Sequence, residues 1–360
     1  MWNQAARIAV MLHGGIEGTQ GKTGLALIRY RPEQIAVVID RDCDKPENAA
    51  WAGKSFAELT GIPVNVPIVP SLQAALAYQP TVLAIGIAPS GGVLPAAWFA
   101  EVKQAILAGL SIANGLHTCL ATHPDLLTLI QTGQLQPGQE IWDIRQEPQG
   151  LTVGSAKARH LTCKRVLTVG TDMSIGKMST SLEMDRRCRQ RGLRSQFLGT
   201  GQAGIMISGA GIPLDAVRVD FASGAIEQLV LQADPQVDIL HIEGQGSLLN
   251  PASTATLPLL RGSQPTHLIL VHRAGQTAIR NFPEVTIPPL KAVIELYEAV
   301  AAAAGSFIPG KVAAIALNTY HLDQGAAQQA VEMVIHDTDL PCIDPVRFSP
   351  DPLVDAILKS

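Results

Sequence analysis

The residues best suited to chemistry lie in one glycine-bounded run between 167 and 178. Apolar β-type residues lead into Gly170, and Gly176 and Lys177 close the turn where a helix should begin. Small residues let successive backbone N–H groups converge on one anion, and the helix N-terminus and the lysine add positive charge. The order strand, glycine loop, helix therefore predicts a phosphate-binding P-loop. The predicted cofactor-binding residues of this loop are Gly170, Thr171, Asp172, Met173, Ser174, Ile175, Gly176, Lys177, Met178 and Ser179.

The loop departs from the usual motif in two ways. Five residues, rather than four, separate its two glycines. The residue after the lysine is normally Ser or Thr, whose hydroxyl holds Mg²⁺, but here it is Met178, which does not bind a hard cation. Ser179 and Thr180 follow, and supply a hydroxyl only if the helix starts slightly differently. The alternative interpretation is a plain glycine turn with an exposed Lys177.

Two carboxylates are expected near this loop. Glu243 follows the predicted strand 237–242, where a partner for Mg²⁺ is expected beside a phosphate loop. Asp172 lies inside the loop and would be repelled by phosphate unless a cation sat between them, so we interpret it as a metal ligand or a general base. Lys177, Asp172 and Glu243 are the predicted catalytic residues, and the two carboxylates are the predicted metal ligands. For Glu243 the alternative is an exposed tight turn.

Further polar side chains follow other predicted strands of the second half. Arg273 is suited to a bidentate contact with a carboxylate or phosphate, or is an ordinary surface group. Asn318 is predicted to read a purine edge as a cofactor-binding residue, or to cap a helix. The predicted substrate-binding residues of this half are Thr200, Gln202, Gln245, Ser247 and Arg273.

The first half contains a second glycine loop, which ends at Lys22 and repeats the glycine-to-lysine spacing of the P-loop. The run 23–29 is short for the helix that should follow, so we prefer the second half as the nucleotide site. Lys22 and Thr23 are predicted to bind an anionic substrate group, with a plain surface loop as the alternative. His117 is either a substrate-binding general base or a packed loop histidine, and we favour packing.

Strands and helices alternate along both halves of the sequence. This alternation predicts an α/β fold with two doubly wound, mostly parallel sheets. We assign residues 1–150 to a Rossmann-like domain and 151–360 to a P-loop NTPase-like domain, with the linker at 145–163. The predicted strands are 7–12, 35–40, 63–66, 81–87, 110–114 and 139–144, then 165–169, 195–198, 237–242, 267–271, 312–317 and one near Cys342.

Composition excludes several classes of protein. The chain is 47% hydrophobic and carries a formal net charge of −4, which argues against general nucleic-acid or acidic-membrane binding. No apolar run approaches the roughly 20 residues of a membrane helix, and residues 1–4 suggest no signal peptide. The five widely spaced cysteines form no CxxC pair, which favours a reducing cytoplasm. The composition permits a homo-oligomer.

The Gly-Thr-Asp…Gly-Lys loop and the segment Glu243-Gly-Gln-Gly resemble those of dethiobiotin synthetase over roughly 165–357. That enzyme uses ATP and Mg²⁺ to activate a carboxylate. The resemblance implies that Lys177 holds phosphates, Asp172 and Glu243 hold Mg²⁺, and Asn318 faces adenine. Met178 departs from the hydroxyl residue of that enzyme.

The whole chain is similar to a second family, with a Rossmann-like N-terminal and a P-loop C-terminal domain. Its loop has the form GTDxxxGKM, which Met178 matches. The runs at 199–206, 243–248, 85–89 and 115–117 match as well. DgcN-like proteins, one branch of this family, are described as forming N-acetyl-D-glutamate from D-glutamate and acetyl-CoA. The resemblance therefore implies a cofactor that is either acetyl-CoA or ATP, the latter with Mg²⁺.

The sequence is compatible with three functions. The first is acyl transfer from acetyl-CoA to a small amino acid, and the second is ATP-dependent phosphoryl transfer or ligation on an amino or carboxylic acid. The third is a nucleotide-binding regulator without fast chemistry.

Overall fold

The computed structural model describes residues 5–45, 51 and 53–359. Residues 1–4, on which the signal-peptide prediction was based, lie outside the described residues. The chain forms two compact units, Met1–Gln146 with Ile205–Pro213 and Glu147–Gly204 with Leu214–Ser360. Each unit contains a parallel sheet with helices between its strands, which confirms the predicted α/β class. Within the described residues, no helix is both long and apolar enough to cross a membrane.

The first unit is built on a sheet of six described strands in the order β3-β2-β1-β4-β5-β6, the order of a Rossmann fold. Its strands are short and apolar, and β1 and β4 are buried along their whole length. The elements are β1 (Ile8–Met11), α1 (Lys22–Tyr30), β2 (Ile35–Ile39), α2 (Phe56–Thr60), β3 (Ile68–Val69), α3 (Leu72–Ala75), β4 (Val82–Ile85), α4 (Ala96–Leu107), β5 (Ser111–Asn114), α5 (Pro124–Gln131) and β6 (Ile141–Asp143).

The second unit has six described strands in its main sheet, in the order β14-β13-β10-β7-β9-β8, and a small hairpin of β11 and β12. The elements are β7 (Lys164–Gly170), α6 (Lys177–Gln190), β8 (Ser195–Leu198), α7 (Gln202–Ser208), α8 (Val219–Leu231), β9 (Ile239–Ile242), α9 (Thr256–Ser263), β10 (His267–Arg273), β11 (Ala278–Ile279), β12 (Phe282–Thr286), α10 (Leu290–Ala302), β13 (Lys311–Asn318), α11 (Gln324–Thr338), β14 (Cys342–Ile343) and α12 (Asp351–Lys359). Helix α7 begins in this unit, and its residues from Ile205 onward are assigned to the first unit.

The centre of the second sheet positions the candidate site. Strand β7 pairs in parallel with β9 on one side and β10 on the other, and all three are almost wholly buried. The carboxyl ends of parallel strands meet at one edge of a sheet, which is where ligands bind in such folds. The loop after β7, Glu243 after β9 and Arg273 at the end of β10 are therefore brought to the same edge.

Two predictions about elements of the first unit were wrong. Residues 63–66 form no strand, and the edge strand lies at Ile68–Val69, where it pairs with Val38 and Ile39 of β2. The helix after Lys22 is not too short, since α1 runs for nine residues and buries one apolar face through Leu27 and Ile28.

Candidate functional site

The loop between β7 and α6 has the strand, turn and helix order expected of a P-loop. Gly176 has φ +115° and Ser174 has φ +55°, so the backbone turns through left-handed conformations before α6 starts at Lys177. A Cβ at Gly170 would lie 2.9 Å from Ile175 Cδ1 and 3.3 Å from Lys177 Nζ. Glycine at 170 therefore leaves the room in which the lysine side chain folds back over the loop.

Lys177 is buried inside this loop. Its Nζ donates a hydrogen bond to the carbonyl of Asp172 at 2.7 Å. Burial lowers the pKa of Lys177 to about 8, against the opposing effect of the negative charges on Asp172 and Glu243. The two carboxylates only partly offset the cost of burying the Lys177 charge. A phosphate that enters the loop therefore stabilises the charged form of the lysine further.

The carboxylate of Asp172 holds three segments together. Its Oδ1 accepts from Met173 N at 2.7 Å and Asn250 Nδ2 at 2.8 Å, and its Oδ2 accepts from Gln276 Nε2 at 2.7 Å and Arg280 N at 2.8 Å. Burial acts to raise the pKa of Asp172, but these hydrogen bonds outweigh it and the pKa is lowered. The side chain therefore stays ionised and fixes the loop to the segments after β9 and β10.

Glu243 is enclosed by the loop after β8 and by the first turn of α7. Its Oε2 accepts from Thr200 N at 2.8 Å and Gly201 N at 3.1 Å, and a Cβ at Gly204 would lie 2.1 Å from the same oxygen. Burial raises the pKa of Glu243 to about 7, although those two N–H groups and the charge of Lys177 act to lower it. The result is a buried carboxyl group that exchanges a proton near neutral pH, beside the P-loop lysine.

The other predicted substrate residues of this half are partly engaged within the protein. Gln245 Nε2 donates to the hydroxyl of Thr200 at 3.3 Å, and that hydroxyl donates to the carbonyl of Glu243 at 2.8 Å. Ser247 is buried, and its hydroxyl accepts from Leu249 N at 3.1 Å. Gln202 starts α7 and is half-buried. Thr200 and Gln245 thus border the Glu243 carboxyl, whereas Ser247 supports its own loop.

Asn318, the last residue of β13, supports the P-loop through its side chain. Asn318 Nδ2 donates to the carbonyl of Ile175 at 2.8 Å, and its Oδ1 accepts from Tyr320 N at 3.2 Å. The cap alternative for Asn318 is wrong, because α11 starts later and is capped by Asp323. The adenine role stays a prediction, and the observed role of the amide is to hold the loop.

His272 was not among the predicted site residues, yet it contacts the P-loop. Its Nδ1 shares a hydrogen bond of 2.9 Å with the hydroxyl of Thr171. Burial lowers the pKa of His272 to about 4, so the ring is neutral at physiological pH. It therefore positions the loop without adding charge to it.

The donor set does not fit a tightly held Mg²⁺, which the resemblance to dethiobiotin synthetase would imply. Asp172 already accepts four protein hydrogen bonds, about the full capacity of a carboxylate. One oxygen of Glu243 is taken by two backbone donors, and the side chain of Met178 offers no oxygen. Within the described residues there is also no group of three His, Cys, Asp or Glu side chains suited to a metal. The metal role of both carboxylates stays a prediction without support from this geometry.

The predicted site residues of the first unit follow two of its strands: Lys22 and Thr23 begin α1 after β1, and His117 follows β5. Lys22 is exposed as the first residue of α1, and Thr23 is buried behind it. The His117 side chain is exposed, its ring lies against Gly92, and its Nε2 contacts the guanidinium of Arg145, so both the base and the packing interpretations stay predictions. Its backbone N–H donates to the carbonyl of Gly92 at 2.7 Å.

Sequence reasoning missed the residues that brace the P-loop. Asn250, Gln276 and Arg280 reach Asp172, and the hydroxyl of Tyr297 in α10 donates to the carbonyl of Gly170 at 2.7 Å. Asn250 stands seven residues after Glu243 in the same strand-end loop, which was an available signal. The others carry no local motif and reach the loop only through the tertiary fold.

Together, the fold and the loop define a two-unit α/β protein with a Rossmann-like unit and a P-loop unit. The chain belongs to the DUF1611 family: its N-terminal Rossmann-like domain model matches residues 49–147, and its C-terminal P-loop domain model matches residues 152–354. Both are described as domains of unknown function.

Relatives with solved structures or curated names agree with this membership. The crystal structure of a DUF1611 family protein from Anabaena variabilis is 57% identical, with a TM-score of 0.91, and covers 99% of this chain and 100% of that one. A "D-glutamate N-acetyltransferase" from Tritonibacter scottomollicae is 37% identical over 291 residues, or 80% of this chain and 84% of the relative. One of the same name from Pseudoalteromonas is 36% identical over 274 residues, or 75% and 79%.

Proposed function

We propose that this protein transfers an acetyl group from acetyl-CoA to the amino group of a small amino acid such as D-glutamate. The observation that carries the proposal is the buried Glu243 carboxyl, whose pKa is raised to about 7 at the edge of the P-loop. A base with a pKa near the working pH is suited to take a proton from an attacking amine. The names of two relatives that are 36% and 37% identical support the same reaction.

The proposed reaction needs one proton acceptor and no metal. The neutral amine attacks the thioester carbonyl carbon, the C–N bond forms and the C–S bond breaks. The surplus proton of the amine moves to Glu243 and then to the departing sulfur, so that the products are the N-acetyl amino acid and free CoA thiol. Thr200 and Gly201 position Glu243 through their backbone N–H groups.

The P-loop supplies binding rather than bond breaking in this scheme. The N-terminus of α6 and Lys177 attract the diphosphate of CoA as they would that of a nucleotide. The Asp172 carboxylate keeps the loop in shape through its four hydrogen bonds. We propose a cytoplasmic location for this reaction; the five cysteines, none of which is in a disulfide, are compatible with it.

Calorimetric titration tests which cofactor the loop takes. We expect acetyl-CoA to bind in the presence of EDTA, and Lys177→Ala to abolish that binding. Binding of ATP that requires Mg²⁺, with no binding of acetyl-CoA, would instead support a kinase or ligase. Binding without turnover on a panel of D- and L-amino acids would support a regulator.

A further inference from the structure

An arginine and an exposed tyrosine lie side by side on the outer face of the P-loop. The guanidinium carbon of Arg273 lies 5.4 Å from the centre of the Tyr320 ring, the distance of a cation–π contact. Tyr320 is 70% exposed, which is unusual for so large a ring. Arg273 Nη2 also reaches the carbonyl of Ser174 at 3.4 Å, so the pair borders the loop itself.

The guanidinium of Arg273 does not use all of its hydrogen-bond donors within the described residues. Its Nε is buried and has no hydrogen-bond partner among the described residues, and the contact of Nη2 with the carbonyl of Ser174 is long, at 3.4 Å. In the described part of the chain, no carboxylate forms an ion pair with it. A half-buried arginine with unused donors and no counter-charge is suited to an incoming anion.

Asn318 fixes the position of this pair relative to the loop. The Asn318 side-chain nitrogen donates to the carbonyl of Ile175, and its side-chain oxygen accepts from Tyr320 N. These two hydrogen bonds hold the backbone of Tyr320 close to the P-loop. Arg273 lies next to the same stretch of the loop, since its Nη2 reaches the carbonyl of Ser174. The ring of Tyr320 then offers the flat surface on which a base stacks.

We propose that Arg273 and Tyr320 bind the 3′-phosphoadenosine end of CoA, with Tyr320 stacked on the adenine and Arg273 paired with the 3′-phosphate. This inference rests on the proposed use of acetyl-CoA. The P-loop binds a diphosphate, which CoA and ATP share, whereas the 3′-phosphate belongs to CoA alone. The pair therefore gives the site its preference for CoA over ATP.

Calorimetry with CoA and 3′-dephospho-CoA tests this role. Charge-assisted hydrogen bonds of this kind correspond to about 10- to 100-fold in affinity, so wild type should bind CoA that much more tightly than dephospho-CoA. Arg273→Gln should remove the difference and leave dephospho-CoA binding unchanged. Tyr320→Ala should weaken both ligands by about 5- to 100-fold, and Tyr320→Phe should weaken neither.

Arg218→Gln is the matched control, since Arg218 also lies over a ring, that of Phe221 at 4.8 Å, away from the P-loop. It should leave both affinities unchanged. Equal binding of CoA and dephospho-CoA by wild type, or equal weakening of both by Arg273→Gln, would overturn the inference while the proposed function stands. If wild type binds neither ligand but binds ATP with Mg²⁺, both proposals fail.

Discussion

The protonation of Glu243 is the residue-scale feature on which the proposed chemistry depends. Its carboxyl is enclosed by backbone and glycine Cα atoms, so that burial holds its pKa at about 7 instead of 4.5. The group is ionised above that value and takes up a proton below it. A base of this kind is active near neutral pH and is silenced by acid.

Replacing this carboxyl tests it as the base. Glu243→Gln keeps the size and the hydrogen bonds from Thr200 and Gly201 but cannot take up a proton. We expect kcat to fall by about 10²- to 10⁴-fold with acetyl-CoA affinity retained. In wild type, kcat should rise with pH through about 7, and this limb should vanish in the variant. An unchanged kcat with the same pH limb would exclude Glu243 as the base.

The charge of Lys177 is predicted to couple cofactor binding to protons. Its pKa of about 8 means that much of it is neutral above that pH, whereas a bound phosphate favours the charged form. Binding of acetyl-CoA at pH 8.5 should therefore take up protons and weaken as pH rises further. Calorimetry in buffers of different ionisation enthalpy measures this uptake. A binding enthalpy that does not change with buffer would contradict the low pKa.

At the scale of elements, the loop after β8 and the first turn of α7 fit closely around the Glu243 side chain. A Cβ at Gly204 would lie 2.1 Å from Glu243 Oε2, so Gly204→Ala must displace the carboxyl. We expect a loss of about 1–3 kcal/mol in the free energy of unfolding and a fall in kcat. Denaturant titration and initial rates measure these two effects.

Gly325→Ala is the control for that variant, because its Cβ would meet the nearest atom, Asp323 Oδ1, at an ordinary 3.5 Å. It lies in α11, where alanine favours the helix. It should leave stability equal or slightly higher and kcat unchanged. If both variants changed stability and kcat to the same extent, the absence of a side chain at Gly204 would not be needed to accommodate Glu243.

The elements also show how far sequence reasoning reached. The P-loop and the strand at Ser195–Leu198 follow from local signals, since apolar runs, glycines and helix starts are adjacent in sequence. The strand predicted at 63–66 failed because its short apolar run is flanked by prolines. Pairing with β2 selects Ile68 and Val69 instead, and only the tertiary fold determines that register.

The site divides in the same way. Lys177, Asp172 and Glu243 were found because each stands at a strand end or in a glycine loop. What each side chain does there depends on distant partners: Asp172 is satisfied by residues 78 to 108 positions away. No spacing rule contains those contacts, so the role of Asp172 in bracing the loop was not predicted, and its metal or base role stays a prediction.

At the scale of the whole molecule, His241 in β9 is a fully buried polar side chain that is expected to lower stability. Neither ring nitrogen has a hydrogen-bond partner among the described residues, and burial lowers its pKa to about 3. His241→Leu should raise the free energy of unfolding at pH 7 by about 1–3 kcal/mol, because no polar group is then left unpaired. Urea titration of both proteins measures the difference.

The pH dependence of that difference follows from linkage. Between pH 6.5 and about 3 the unfolded chain binds a proton at His241 that the folded chain does not, so acid destabilises wild type. The advantage of His241→Leu should therefore grow on acidification through this window, by about 1.4 kcal/mol per pH unit at most. A constant difference from pH 7 to 4 would show that the ring takes up a proton equally readily in the folded and unfolded chains, and would contradict the lowered pKa.

The most direct test of the proposed acetyl transfer is release of CoA thiol in EDTA. Purified protein is given acetyl-CoA and D-glutamate, and both free thiol and N-acetyl product are followed in time. We predict one thiol for each N-acetylated amino acid, with the rate lost in Glu243→Gln. Absence of thiol release across a panel of D- and L-amino acids, together with ADP formation from ATP and Mg²⁺, would contradict the account.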